Sequence, residues 1–282
     1  MALVSMLDEL NKAQAGGYAV PCFNTFEMMG CNGTLAAAAE RRAPIFLGCY
    51  TRWLDGPDAD AFWGYVCAQA AKSAAPVGLI LDHGDSLQAC LKALSLGFTG
   101  VMFDGSRLPL EENIATTRTV ARAAHALGAI CEGEVGHVGA GSEYDKFGAL
   151  GRGFSDPAEV ERFVEETGVD CVAVAVGTAH GEYNCEPRLA LELLAEIRRR
   201  VAVPLVLHGG SGLSDEQFRA AIETGVAKVN VFTDLALHCA AQLVSVASRE
   251  RPSYLDFTGG IREAFQQRSG YYIDLFARRG KA

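Results

Sequence analysis

The sequence predicts a single (β/α)8 barrel (a TIM barrel) spanning 1–282. Three observations carry this expectation. Short apolar runs alternate with amphipathic segments from Tyr18 onward, the alternation makes eight units, and no linker or composition shift interrupts it. Strict alternation implies a parallel sheet with right-handed crossovers, and eight units imply closure. A length of 282 residues suits one such domain.

The elements follow in order. A short helix over 5–13, with Ser5 and Asp8 as a capping box and Gly16-Gly17 as its stop, precedes the first strand. Apolar runs place strands at 18–23, 44–49, 77–81, 100–103, 129–135, 171–176, 205–207 and 227–231. Helical periodicity fills the gaps at 26–41, 58–73, 87–96, 110–127, 157–167, 187–200, 215–224 and 234–246. A last helix, patterned over 261–277, occupies a C-terminal segment at 259–279. One long connection, 136–155 (GHVGAGSEYDKFGALGRGFS), is rich in glycine and charge, and is expected to be a mobile active-site loop.

Composition excludes several classes. A net charge of −9 gives a nucleic-acid partner no electrostatic support. No apolar run is long enough for a membrane span, and the N-terminus, with Asp8 and Glu9, does not read as a signal peptide. The nine cysteines include no CxxC pair, and Cys22, Cys49 and Cys171 lie inside apolar strands, so reduced thiols and a cytoplasmic location are expected.

In a barrel of this kind, chemistry sits at the C-terminal ends of the strands. The stretch from Val203 to Ser214, VPLVLHGGSGLS, sets the pattern: a buried strand, then His208, then bare backbone at Gly209 and Gly210, then Ser211, with Ser214 and Gln217 as a capping box for the next helix. Other strands end in Asp82-His83-Gly84, in Asp104-Gly105-Ser106 and in Thr178-Ala179-His180-Gly181. The fifth carries Glu132 and Glu134 on one face, and the eighth carries Asn230 before Thr233. Three strand-end histidines, His83, His180 and His208, describe a catalytic zinc with an open coordination position, which would polarise a carbonyl or stabilise an enediolate. Asp82 is placed as the general acid/base beside it. Asp104 and Glu134 are candidates for an alternative or second metal position. Gly209, Gly210 and Ser211, with Asn230 to Thr233, read as an anion site at two helix starts. His137 stays ambiguous, and His125 and His238 read as helix residues.

These motifs (LDHGDS at 81–86, MFDGS at 102–106, EGEVG at 132–136, VAVGTAHGEY at 174–183, PLVLHGGSG at 204–212 and KVNVFTDL at 228–235) resemble the class II, zinc-dependent fructose-bisphosphate/tagatose-bisphosphate aldolases. The resemblance implies retro-aldol cleavage of a ketose (bis)phosphate to dihydroxyacetone phosphate (DHAP) and an aldehyde, as in glycolysis. It implies zinc on His83, His180 and His208, with a second divalent or a monovalent cation using Asp104 and Glu134. It implies Asp82 as proton donor to the aldehyde oxygen and Glu143, in the long loop, as the residue exchanging the DHAP proton. It places DHAP on Asn24, Gly181, Gly209, Gly210, Ser211, Asn230, Val231, Phe232 and Thr233. A homodimer or homotetramer is implied, and an auxiliary subunit is left open.

Three positions depart from the family pattern. Gly48-Cys49-Tyr50-Thr51 replaces a segment that commonly holds a serine, Asn184 stands where a lysine is frequent, and Ala236 where fructose-bisphosphate members carry an arginine. The far end of the substrate is therefore expected to differ, as a carboxylate or a plain hydroxyl, unless Arg52, a C-terminal residue such as Arg278 or a neighbouring subunit supplies the charge. Other readings stay open at this point: a Schiff-base aldolase on Lys228, a metal-dependent sugar-phosphate epimerase, and a non-catalytic binding protein.

Overall fold

The computed structural model describes residues 3–277. Eight parallel strands close into a barrel: β1 (Val20–Asn24), β2 (Ile45–Tyr50), β3 (Val77–Gly84), β4 (Gly100–Phe103), β5 (Ile130–Val135), β6 (Cys171–Val174), β7 (Leu205–Leu207) and β8 (Val226–Val231), with β8 pairing back onto β1. The helices are α1 (Leu7–Gly16), α2 (Met28–Arg41), α3 (Ala59–Ala70), α4 (Leu87–Ser95), α5 (Leu110–Ala126), α6 (Pro157–Thr167), α7 (Leu191–Arg200), α8 (Asp215–Thr224), α9 (Thr233–Ala247) and α10 (Tyr254–Phe276). Among the described residues no helix is long and apolar enough to cross a membrane.

The apolar strands serve two cores. Alternate side chains such as Phe46, Ile80, Met102 and Val206 fill the barrel interior, and Met6, with Leu10 and Ala13 of α1, plugs its N-terminal end. Their neighbours, such as Ile45, Leu47, Leu79 and Leu81, pack outward against the helices. Strands buried on both faces have no polar face to show, which is why they read as continuous apolar runs. Where the inward rows reach the C-terminal end they become polar, and the site begins.

Three of the helix starts that differ from expectation show why. α1 starts at Leu7, and Ser5 caps nothing; Met6 precedes the helix without a side-chain cap. α7 starts at Leu191, because the segment before it leaves helical form and Ala190 N–H donates to Val176 O at 2.8 Å. α10 starts at Tyr254, well before 261, because Ser253 and Asp256 form a reciprocal capping box. The expected end of that segment at 279, and Arg278, lie outside the described residues. The capping box at Ser214 and Gln217 is present, with Gln217 N–H donating to Ser214 Oγ and Ser214 N–H to Gln217 Oε1 at 2.9 Å.

The long loop is well anchored in this conformation. It makes two 3-10 turns, Gly141–Lys146 and Gly148–Leu150. Tyr144 is fully buried, donates to Gly177 O at 2.9 Å and accepts from Arg188 N–H. Asn184 clasps the loop from outside, donating to Ser142 O and to Asp145 Oδ1 and accepting from Asp145 N–H.

Candidate active site

At the C-terminal mouth of the barrel a pocket of about 690 Å³ is lined by residues from the ends of five strands, β1 to β4 and β8, together with the segments that follow β5, β6 and β7. Three imidazoles meet there. His83 Nε2 lies 3.1 Å from His180 Nε2 and 2.9 Å from His208 Nδ1. Two of the outward-facing ring nitrogens are already taken: His83 Nδ1 by Asp104 at 2.7 Å, and His208 Nε2 by Glu132 at 2.8 Å. A carboxylate on the outer nitrogen holds the proton there and turns a lone pair inward, the usual support for a metal-binding histidine. Nitrogens bound tetrahedrally to one zinc stand about 3.3 Å apart, given Zn–N bonds of about 2.0–2.1 Å. The donor set therefore fits a divalent metal, with His208 offering Nδ1 and the other two offering Nε2.

His83 reaches this centre through an irregularity that strand parity does not foresee. On β3, Ile80 points inward, so Asp82 does too, and a regular His83 would point out. The strand does not end between them. Instead His83 adopts a left-handed backbone, φ 51°, and pairing with β4 jumps from Leu81–Val101 to Gly84–Phe103. For a non-glycine residue this conformation costs about 1–3 kcal/mol, and such strain gathers at functional sites. It turns His83 into the pocket beside Asp82.

Asp82 is buried and held at both oxygens, by Asn24 Nδ2 at 2.7 Å and Asn230 Nδ2 at 2.8 Å. Its Oδ1 stands 4.0 Å from His83 Nε2 and 3.9 Å from His208 Nδ1. Burial favours the neutral acid, but His83, His208, Lys228 and the Asn24 hydrogen bond outweigh it and keep Asp82 below the usual carboxylate range. Beneath it, the fully buried Lys228 donates to Glu132 Oε2 and Asn230 Oδ1, both at 2.8 Å. One ammonium thus orients His208 through Glu132 and Asp82 through Asn230. Burial lowers the Lys228 pKa, but Glu132 more than compensates, and the net shift is upward. A locked, protonated lysine is poorly suited to imine formation, which needs the neutral amine.

Removing this cation leaves Glu132 as an uncompensated buried charge. Lys228→Met is expected to cost about 3–5 kcal/mol of stability in urea unfolding, and Glu132→Gln on the same background to recover much of it. An additive double-mutant cycle would contradict the pairing.

Titration separates the histidines. Burial works against a charged His83, but Asp82, Asp104 and Glu134 raise it to about 10. Burial, then the charges of His83 and His208, push His180 down to about 3. Burial also lowers His208, against the pull of Glu132. Burial and the neighbouring Asp104 raise Glu134 to about 8, and its Oε2 has no hydrogen-bond partner. His83, Asp104 and Glu134 form a second set of donors within 4.8 Å of one another.

A glycine-rich cradle, the expected anion site, lies across the pocket. Gly209 has φ 69° and its absent Cβ would meet the Ala179 carbonyl at 2.4 Å, so only glycine fits. Tyr183, which sequence reasoning passed over, clamps the cradle: its hydroxyl accepts from Ala179 N–H and donates to Gly209 O, each at 2.7 Å. Ser211 Oγ accepts from Asp234 N–H in the first turn of α9. Asn24, Gly181, Gly210, Asn230, Val231, Phe232 and Thr233 all line the pocket. So does His137, with Nδ1 3.2 Å from Ser106 Oγ. Glu143 is elsewhere: it is 61% exposed, pairs with Lys146 at 3.1 Å and does not line the pocket.

The structure is a closed parallel barrel with three converging histidines and a glycine-rich cradle at its C-terminal mouth, the architecture of an α/β-barrel enzyme. Residues 4–281 match the family model "Fructose-bisphosphate aldolase class-II", and the chain belongs to that family. It is accordingly an aldolase, a carbon–carbon lyase of a family that acts on sugar phosphates. It is 41% identical over 237 residues to the fructose-bisphosphate aldolase of Geobacillus stearothermophilus, covering 83% of this chain and 82% of that one. It is also 40% identical over 257 residues to the 6-phospho-5-dehydro-2-deoxy-D-gluconate aldolase of Halalkalibacterium halodurans, covering 90% and 88%. In structure it resembles the YdjI aldolase of Escherichia coli K12, with TM-score 0.88, 31% identity and 99% of both chains covered.

Proposed function

We propose that the protein is a zinc-dependent aldolase that splits a ketose 1-phosphate between C3 and C4 into DHAP and an aldehyde. The carrying observation is the set of three inward-facing imidazole nitrogens beside a twice-held aspartate. His83, His180 and His208 would hold the ion; bound there, zinc supplies a Lewis acid for the ketone and hydroxyl oxygens of the substrate. Asp82 takes the C4 hydroxyl proton in cleavage and returns it in synthesis. Its two amide donors fix it in the ionised, proton-accepting form. The cradle of Gly209, Gly210, Ser211 and Asn230 to Thr233 binds the phosphate through backbone N–H groups, with Asn24 and Gly181 beside it. Asn230 also positions Asp82.

Asp104 and Glu134 serve an alternative metal position in this reading, not one filled at the same time. The second donor set needs the lone pair of His83 Nδ1, whereas the first needs the proton there. Fructose 1,6-bisphosphate and tagatose 1,6-bisphosphate are the default substrates, and the relative named for a deoxygluconate phosphate shows that this fold family extends to other far ends. We place the enzyme in the cytoplasm, where nine free thiols persist. A homodimer or homotetramer fits the exposed Leu237 and Val244 on α9 and Tyr254 and Leu255 on α10.

Glu143 is proposed as the base for the DHAP carbon, brought in by movement of the 136–155 loop. The test is direct. Product analysis should find a three-carbon phosphate and an aldehyde; a product of unchanged carbon count would point to epimerisation instead. Glu143→Gln should slow exchange of the DHAP proton with solvent by about a hundredfold or more while the pocket still binds DHAP. Unchanged exchange would remove Glu143 from the mechanism.

A further inference from the structure

α10 lies outside the barrel, yet its second half reaches the two helix starts that frame the glycine-rich cradle. Gly209 to Ser211 precede α8, and Asn230 to Phe232 lead into α9. Each of these helices carries a carboxylate in its first turn, Asp215 in α8 and Asp234 in α9. α10 engages both. The Tyr271 hydroxyl donates to Asp215 Oδ1. The Tyr272 hydroxyl donates to Asp234 Oδ2 at 2.8 Å, and Arg268 Nε donates to the same oxygen. The Arg268 guanidinium is held in turn by the two phenol rings, 4.3 Å from the centre of Tyr271 and 5.2 Å from that of Tyr272.

Asp234 stands one residue beyond the cradle. It does not line the pocket, but its N–H donates to Ser211 Oγ at 3.2 Å, and both Ser211 and Thr233 do line it. A carboxylate in the first turn of a helix is favourable while that end is empty, because it meets the positive end of the helix dipole. A phosphate at Ser211 and Thr233 is drawn to the same end of α9. Two anions then share one helix start, and the carboxylate repels the ligand unless a cation answers it. Asp215 is answered from within α8, by Arg219 Nη2 at 3.2 Å. Among the described residues Arg268 alone forms an ion pair with Asp234, and it comes from another helix. The two side chains are 28% and 27% exposed, so solvent screens this pair less than a fully exposed one.

We propose that Arg268 is a positioning residue for the phosphate end of the substrate. It neutralises Asp234 and ties it to α10, so that the first turn of α9 is left to the phosphate. Arg268 does not line the pocket, and its effect passes through Asp234 to Ser211 and Thr233. Tyr271 and Tyr272 fix its guanidinium. This rests on the aldolase reading above, with the cradle as its phosphate site.

The test measures binding of inorganic phosphate to the zinc-loaded protein by calorimetry, together with KM and kcat for exchange of the DHAP proton. The proteins compared are wild type, Arg268→Met, Arg268→Lys, Asp234→Asn, the double variant Arg268→Met with Asp234→Asn, and Arg41→Gln. Arg41 pairs with Asp274 at 2.9 Å and ties α10 to α2, so its variant controls for loss of an α10 ion pair as such. Arg268→Met is expected to weaken phosphate binding and raise KM about tenfold, since it leaves one carboxylate charge unanswered beside the anion. Its kcat should stay within about threefold, because the phosphate is bound alike in ground and transition states. Arg268→Lys should keep most of the affinity. Asp234→Asn alone should tighten phosphate binding, and added to Arg268→Met it should restore affinity to within about threefold of wild type. Arg41→Gln should change neither quantity. Unchanged binding in Arg268→Met, a loss that Asp234→Asn does not restore, a fall in kcat with KM unchanged, or an equal loss in Arg41→Gln overturns the assignment. Should Arg268→Met not fold, Asp234→Asn decides alone, and unchanged or weaker binding there overturns it. Wild type that binds phosphate and exchanges the DHAP proton, with variants that behave like it, overturns the Arg268 role alone. Wild type that neither binds phosphate nor exchanges overturns the aldolase reading and this one with it.

Discussion

Asp82→Asn is expected to slow carbon–carbon cleavage by about a hundredfold to ten-thousandfold, the usual worth of a positioned acid/base. The fold should tolerate the change. Both Asp82 oxygens accept an amide proton, from Asn24 and from Asn230, and an asparagine has only one oxygen to offer. One neighbour must turn its amide over. Asn230 cannot do so easily, because Lys228 holds its Oδ1 at 2.8 Å. Asn24 can, because its Oδ1 has no partner to lose. The variant should therefore keep its shape and its three-histidine centre while losing the group proposed to move the C4 hydroxyl proton. Exchange of the DHAP proton, which does not pass through Asp82, should survive far better. Measuring both rates on the same preparation decides the matter: equal loss of both would mean that Asp82 supports the whole site and does not act on one proton.

The barrel was legible because its physics is local and repetitive. Buried parallel strands must be apolar on both faces, so Val77–Leu81 or Cys171–Val174 announce themselves, and helix caps such as Ser214 with Gln217 mark where the next layer starts. The same rule applied at Ser253 and Asp256 finds the true start of α10, which apolar periodicity alone placed later. The strand-end histidines were legible for a related reason: polar residues at the ends of apolar runs are conspicuous.

What stayed hidden is pairwise or conformational. The left-handed backbone of His83 leaves no mark on composition, since the residue itself is not a glycine. The union of Lys228 with Glu132 spans 96 positions, and only the closed barrel brings them to 2.8 Å. Lys228 therefore read as a free barrel lysine until its partners were known. Asn184 read as a missing lysine, whereas it acts as the clasp of the long loop. Charge composition also gave no hint that Arg52 would lie on two aromatic rings.

The most direct measurement of the central claim is zinc titration of chelator-treated protein with cleavage followed at each addition. Zinc binding needs the three inward lone pairs together, so it should be tight and reach one ion per chain at the histidine centre. Cleavage should be absent in the metal-free protein and return in proportion to the ion bound, with cobalt able to replace zinc. His208→Ala should bind far less zinc and show no recovery. It should still fold, because Glu132 keeps its ion pair with Lys228 when the imidazole is gone. Loss of cleavage on chelation, restored at one equivalent in wild type and not in His208→Ala, is the predicted result. Full cleavage by metal-free wild-type protein would contradict the account.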